Sequence, residues 1–118
     1  MANSRVSENG KELAIIDTAP GADGYWTNPV RMRKLRGQSL NKMFFSVRNK
    51  TSTPTTATPT LQFKGTEEDV WTDYYNDGND FSVGDNKLIE NNALDISWRA
   101  GVKNGDYSGG AMVIGFNW

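Results

Sequence analysis

The chain has 118 residues, a formal net charge of −1, and neither cysteine nor histidine. Its length suits a single domain with its own core. The absence of cysteine excludes disulfides and thiolate metal sites, and the absence of histidine removes the commonest general base and metal ligand.

The start of the chain, MANSRVSENGKEL, is polar and lacks the apolar stretch of a signal peptide. No apolar run approaches the roughly 20 residues that a membrane-spanning helix needs. We therefore expect a protein that is made in a cytoplasm and has no membrane partner. Residues 1–12 are predicted to form an N-terminal arm, either disordered or ordered on a partner, and residues 13–118 the folded domain.

Alternating apolar and polar residues predict the strands of the first half of the chain, in the runs LAIIDT, VRMRKLR and LNKMFFSVR. In the last run Met43, Phe45 and Val47 share one apolar face, whereas Phe44 interrupts the polar face and suggests contact with a second layer. A Ser/Thr/Pro-rich loop follows over residues 51–60.

The second half predicts short strands in TLQFK and VWTDYY around the turn GTEED, then the turn NDGND, then FSVG and KLIE. The longest strands come last. Alternation runs from Leu94 to Val102 and again from Met112 to Trp118, with the turn-forming run NGDYSGG between them. Trp98 and Trp118 are in phase with the aliphatic residues and are predicted to lie in the core.

No segment shows a sustained helical period, and turn signals recur about every 8–12 residues. We therefore predict an all-β protein: a single-domain, antiparallel, jelly-roll-like β-sandwich of about eight short strands. A small barrel is the alternative architecture.

Charge is unevenly distributed along the sequence. Residues 1–50 carry nine basic and four acidic residues, whereas residues 66–95 carry nine acidic residues and one lysine. These charges either interleave on folding or form complementary surfaces for association. Nucleic-acid binding is not expected, because the net charge is negative and the basic residues form one short cluster.

No catalytic or metal-binding constellation is identified in the sequence. The run DYYNDGND matches a calcium-binding loop at its first, fifth and sixth positions, but Tyr75 and Gly84 occupy positions that need ligands. We therefore expect no enzymatic activity, no metal and no cofactor. Trp26 and Trp71 leave two interpretations open, since they either cover the core or line a sugar-binding platform.

Three runs resemble small β-sandwich virion proteins of tailed bacteriophages: TLQFKGTEEDVWTDYY, FSVGDNKLIE and ISWRAGVKNGDYSGGAMVIGFNW. The resemblance extends from Thr60 to Trp118. It implies a virion structural role, as a head decoration (cement) protein that binds the outer surface of the capsid, often as a trimer. A tail, neck or fibre-base protein and a carbohydrate-binding module are the alternatives.

The resemblance implies the major capsid protein as the partner, together with further copies of the chain. The N-terminal arm, the basic segment and one aromatic residue are the predicted contacts. These residues are Ala2, Asn3, Ser4, Arg5, Trp26, Arg31, Arg33, Lys34 and Arg36.

Overall fold

The computed structural model describes residues 2–35, 38–40, 42–65, 70–90 and 95–118. Within these residues there is no helix, and eleven strands form two antiparallel sheets, which confirms the all-β prediction. It follows that none of the described residues belongs to a helix able to cross a membrane. The strands are β1 (Ser4–Glu8), β2 (Lys11–Ile16), β3 (Tyr25–Trp26), β4 (Val30–Leu35), β5 (Gln38–Leu40), β6 (Lys42–Asn49), β7 (Thr60–Gly65), β8 (Thr72–Tyr74), β9 (Asn86–Glu90), β10 (Ile96–Val102) and β11 (Met112–Asn117).

The strand order is that of a jelly roll. Sheet A has the order β1-β2-β11-β6-β9, and sheet B has the order β5-β4-β10-β7-β8, with β3 also paired to β10. When β1, β3 and β5 are set aside, four strands in each sheet remain, β2-β11-β6-β9 and β4-β10-β7-β8. The chain crosses between the sheets in the manner of two interlocked Greek keys.

The two longest predicted strands occupy the centre of the sandwich. β10 is the middle strand of sheet B and β11 is the middle strand of sheet A, so the turn between them passes from one sheet to the other. Trp118 corrects the prediction of a core position, because it lies beyond the end of β11 and is 48% exposed. The alternation continues to Trp118 in the sequence, but the core ends at Phe116.

The core between the sheets follows the predicted alternation. Met43, Phe45 and Val47 of β6 are buried, as expected for one face of a strand. The Phe45 ring lies 5.0 Å from that of Phe81 and 5.8 Å from that of Phe116. Burial of each large apolar side chain contributes roughly 1.5–3 kcal/mol, so this aromatic group holds the loop residue Phe81 against the inner face of sheet A.

The N-terminal segment is part of the sandwich, so the prediction of a separate arm over residues 1–12 is corrected. Residues 4–8 form β1, which pairs with β2 across a turn where Gly10 has φ 86°. The Asn3 side chain fixes the start of this hairpin, because its oxygen accepts hydrogen bonds from the backbone N–H groups of Asp17 (2.7 Å) and Thr18 (2.9 Å). An edge strand needs little apolar surface, which explains its polar sequence.

Four connections lie together at one end of the sandwich, which we call the loop end: residues 17–24, 50–59, 75–85 and 103–111. Here the predicted strand FSVG is wrong, because Phe81 lies in a loop and its ring enters the core. The predicted turn NDGND is present, with Asp77 and Gly78 both at positive φ. Residues 66–69 of GTEED, Leu94 and Arg36 lie outside the described residues.

Candidate functional site

The outer face of sheet B carries a row of hydrogen-bonded polar side chains across three strands. Arg99 of β10 lies opposite Gln62 of β7, which in turn lies opposite Asp73 of β8. Arg99 Nε donates to Gln62 Oε1 at 2.8 Å, and Gln62 Nε2 donates to Asp73 Oδ1 at 2.9 Å. The Lys103 ammonium donates to the other carboxylate oxygen of Asp73. These four side chains therefore satisfy one another.

The pKa values in this row fit a structural role. Burial alone would raise the pKa of Asp73, but hydrogen bonds from Lys103 and Gln62 hold it below its ordinary value. The hydrogen bond to Asp73 raises the pKa of Lys103. Both groups are therefore charged at neutral pH, whereas a general acid or base needs a pKa near the working pH.

Cations cover the aromatic rings of this face. The Arg99 guanidinium carbon lies 4.2 Å from the ring centroid of Trp26 and 4.5 Å from that of Trp71, and Lys64 Nζ lies 5.0 Å from the Trp71 centroid. Trp26 is 8% exposed and donates its Nε1 hydrogen to the Asp23 carbonyl at 2.7 Å. This corrects the prediction of Trp26 as an exposed contact, and it leaves no bare pair of tryptophan faces on which a sugar would stack.

Of the predicted contact residues at the N-terminus, two are exposed and two bind other parts of the same chain. Ala2 and Ser4 are exposed, and Asn3 binds the backbone of residues 17–18. Arg5 lies 4.6 Å from the Tyr25 ring centroid and donates from Nε to the Trp26 carbonyl at 2.7 Å. Arg5 therefore links the edge of sheet A to sheet B.

The predicted basic segment lies on β4, which is next to the edge strand β5 and on the far side of sheet B from β8. Arg31 forms a bidentate ion pair with Asp95, with Nε 2.8 Å from Oδ1, so opposite charges interleave within the chain at this point. Arg33 and Lys34 follow on the same strand. This segment belongs to sheet B, whereas Ser4 belongs to β1 of sheet A.

The outer face of sheet A carries six apolar side chains among polar ones, and sequence reasoning identified only one of the six, Phe44. Strand alternation and register place six apolar side chains here, opposite the inward-facing core residues. Phe44 and Leu88 are direct cross-strand partners, and they are 40% and 54% exposed. We call this surface the apolar face; its residues are Val6, Leu13, Ile15, Phe44, Leu88 and Val113, of which Val113 is buried.

Small residues at the centre of the apolar face leave its surface there without large protruding side chains. Gly115 lies opposite both Leu13 and Ser46, and the Leu13 side chain leans over the Gly115 backbone. Cross-strand partners of opposite charge, Glu8 with Lys11 and Lys42 with Glu90, stand along one margin. The face therefore combines apolar side chains with polar and charged ones, as protein interfaces do.

A trough at the loop end is the third surface feature. It consists of an open groove of about 480 Å³ and a deeper pocket of about 60 Å³ that share Asp80 and Phe81 as lining residues. The groove lies between residues 55–58 and 80–83, and the pocket extends to Lys103 and Asp106. No signal in the sequence predicted this trough, because its walls come from three separate connections.

Among the described residues, no group of three or more acidic side chains is arranged to bind a metal ion. Asp73, the first position of the calcium-loop pattern, is held by Lys103 and Gln62. Asp77 lies exposed at the tip of the turn. The sequence matches no family model and is significantly similar to neither a curated protein nor a solved structure.

Proposed function

We propose that the chain is a structural protein of a tailed-phage virion, a decoration protein that binds the outer surface of the capsid through the apolar face of sheet A. The carrying observation is the exposed cross-strand pair Phe44 and Leu88 on that face. Exposed apolar side chains beside charged residues are a common feature of protein-interaction sites. The sequence resemblance of Thr60 to Trp118 supports the choice of a virion partner.

The contrast between the two sheets supports the choice of surface. The polar groups of the Arg99–Asp73 row on sheet B bind one another, and the nearby rings lie under cations. Such a self-satisfied surface gains little from a partner, because each existing hydrogen bond would have to be replaced. The apolar face of sheet A gains by burial alone.

The size of the apolar face favours a lattice as the partner. Five strands about 4.8 Å apart and about six residues long give the whole outer face of sheet A, polar residues included, an area of roughly 400–500 Å². A stable one-to-one complex buries about 800 Å² on each partner. Many copies on a repeating shell compensate for a weak single contact, because effective concentration raises the overall affinity. Association into a trimer on that shell remains a prediction.

Fractionation of the natural source tests this proposal. Virus particles, free heads, free tails and soluble protein would be separated on a density gradient, and the chain would be quantified in each fraction by mass spectrometry. We expect the chain in the particle and head fractions, at a fixed ratio to the major capsid protein. Recovery with tails alone would overturn the capsid assignment in favour of the tail alternative, and recovery only as soluble protein would overturn the virion role.

A further inference from the structure

The trough at the loop end has a rigid construction that the proposed capsid contact does not use. Its floor is formed by Phe81, which packs edge-on against Phe45 of the core, and by the buried Ala57. The floor therefore moves only if the core moves. The apolar face lies on the outside of sheet A, whereas the trough lies at the end where the connections meet.

Hydrogen bonds between connections fix the threonine-rich wall of the groove. The Thr55 hydroxyl donates to the Ser108 carbonyl at 2.8 Å, and the Thr56 and Ser108 hydroxyls lie 2.7 Å apart. The Thr58 backbone N–H donates to the Asp106 carbonyl at 3.0 Å. A wall held in this way loses little conformational entropy when a ligand binds.

The facing wall is fixed by its own turn. Ser82 donates its backbone N–H to Asp85 Oδ2 at 2.8 Å, and the Gly84 N–H donates to the Val47 carbonyl of β6 at 2.8 Å. Both walls are therefore shaped before any ligand arrives, and pre-formed clefts of this volume are where proteins bind small molecules.

The lining combines hydroxyls, carboxylates and aromatic surface. Among the described residues, the carboxylates of Asp80 and Asp106 accept no side-chain hydrogen bond, whereas Asp73 binds Lys103 directly; Asp106 interacts with Lys103 through its charge alone. Tyr75, with its ring half exposed, stands at the rim of the deeper pocket. The trough thus offers charged acceptors, hydroxyls and an exposed ring close together.

These groups match the chemistry of a neutral sugar. Carboxylates accept strong hydrogen bonds from ligand hydroxyls, and the hydroxyls of Thr58 and Ser82, which line the groove and do not hold its walls, can both donate and accept. An exposed tyrosine ring offers apolar contact next to a polar tip. Anionic ligands are disfavoured, because three carboxylates face a single ammonium along the pocket.

We propose that this trough is a binding site for a neutral oligosaccharide, with the Asp80 and Asp106 carboxylates accepting hydrogen bonds from sugar hydroxyls. The Tyr75 ring packs against the apolar side of one sugar unit. This site differs from the tryptophan platform considered for sheet B, and it is independent of the capsid contact.

Titration of the full chain with maltotriose, cellotriose and tri-N-acetylchitotriose, followed by amide NMR, tests the site. We expect one of these sugars to shift the signals of residues 55–58 and 80–83 in a saturable manner. Asp80→Asn and Asp106→Asn, which keep the side-chain shape, should each weaken that binding at least tenfold. The matched control is Asp77→Asn, which removes the same charge from the adjacent turn and should change the affinity less than twofold.

Three results would overturn the proposal. The first is an absence of shifts in the trough with all three sugars at millimolar concentration. The second is binding that Asp80→Asn and Asp106→Asn leave unchanged. The third is that trilysine, used as a cationic peptide probe, binds the trough whereas the sugars do not. Each outcome leaves the capsid proposal untouched, because the density-gradient result depends on the apolar face and not on the loop end.

Discussion

Gly101 controls how closely β3 approaches the centre of sheet B. A Cβ atom at this position would lie 1.9 Å from the Tyr25 carbonyl oxygen and 2.9 Å from Trp26 Cα. The close approach places Trp26 beside β10, where Arg99 stacks on its ring. One missing side chain thus allows the covered aromatic surface of sheet B to form.

We predict that Gly101→Ala lowers the free energy of unfolding by about 2–3 kcal/mol or more, because the backbone of β3 must move to admit the methyl group. Urea denaturation measures this change. Gly21→Ala is the matched control, since a Cβ there meets no atom within 4 Å, and it should change stability by less than about 0.5 kcal/mol. Equal effects at the two positions would contradict the assigned role of Gly101.

The Asp73–Lys103 pair makes stability depend on pH in a definite direction. The pKa of Asp73 is lower in the folded state than in the unfolded chain. Asp73 therefore stabilises the fold fully above the ordinary carboxyl pKa, and this stabilisation is lost as the pH falls through the pKa of the folded state. The pKa of Lys103 is raised in the folded state. Lys103 therefore stabilises the fold fully below the ordinary amine pKa, and this stabilisation is lost as the pH rises through the pKa of the folded state.

A double-mutant cycle with Asp73→Asn and Lys103→Met checks this dependence. We expect a coupling free energy of about 0.5–1 kcal/mol at neutral pH, typical of a partly exposed pair, from urea denaturation of the four proteins. The coupling should shrink as the pH is lowered from about 5 to about 2, where the carboxyl group becomes protonated. A coupling that stays constant over this range would contradict the assignment.

The burial of a side chain was predicted correctly where strand alternation determines it. The prediction failed where residues distant in the sequence determine the burial. Phe45 and Trp98 are buried as predicted, because each lies within an interior strand of its sheet. Trp118 is in the same phase but lies beyond the core. Trp26 is buried because Arg99 and Gly101, more than seventy positions away, come to lie beside it.

Among the longer strands, β1 is the one that the sequence analysis did not predict. Its polar composition predicts an arm, yet it pairs along its length with β2. Two side chains hold it in place: Asn3 binds the backbone after β2, and Arg5 reaches across to Tyr25 and Trp26. Such contacts join residues distant in sequence, so no local pattern reveals them.

We predict that Asn3→Ala raises the hydrogen-exchange rates of the β1 amides about tenfold, because the backbone N–H groups of Asp17 and Thr18 lose their acceptor. Amide exchange followed by mass spectrometry or NMR measures the change, and the amides of central β11 should keep their protection. Ser4→Ala, an exposed position on β1, is the control. Unprotected β1 amides in the native chain would instead restore the predicted arm.

The sequence predicted most strands but not how they combine into sheets. Alternation shows which side of a strand is buried, but it does not identify the neighbouring strand. The sequence therefore did not predict that β10 and β11 belong to different sheets. The short strands β3 and β5 are too brief to show a period. The trough was likewise unpredictable, because residues 55–58, 80–83 and 103–106 meet only in the jelly roll.

At the scale of the whole molecule, three surfaces have different chemistry. The outer face of sheet B is polar and internally paired, the outer face of sheet A exposes the apolar pair Phe44 and Leu88, and the loop end holds a polar trough. The sequence indicated the apolar face only through Phe44, since its partner Leu88 lies more than forty residues further along the chain. The central claim is that the apolar face is the docking surface.

Binding of the purified chain to isolated shells stripped of it tests this claim most directly. The comparison is between the wild type, the double variant Phe44→Ser/Leu88→Ser, and the control Val70→Ser, whose side chain is 71% exposed elsewhere on the molecule. Circular dichroism would first establish that all three proteins fold. We predict that the double variant loses at least tenfold in shell occupancy while Val70→Ser binds like the wild type, and equal occupancy for all three would contradict the claim.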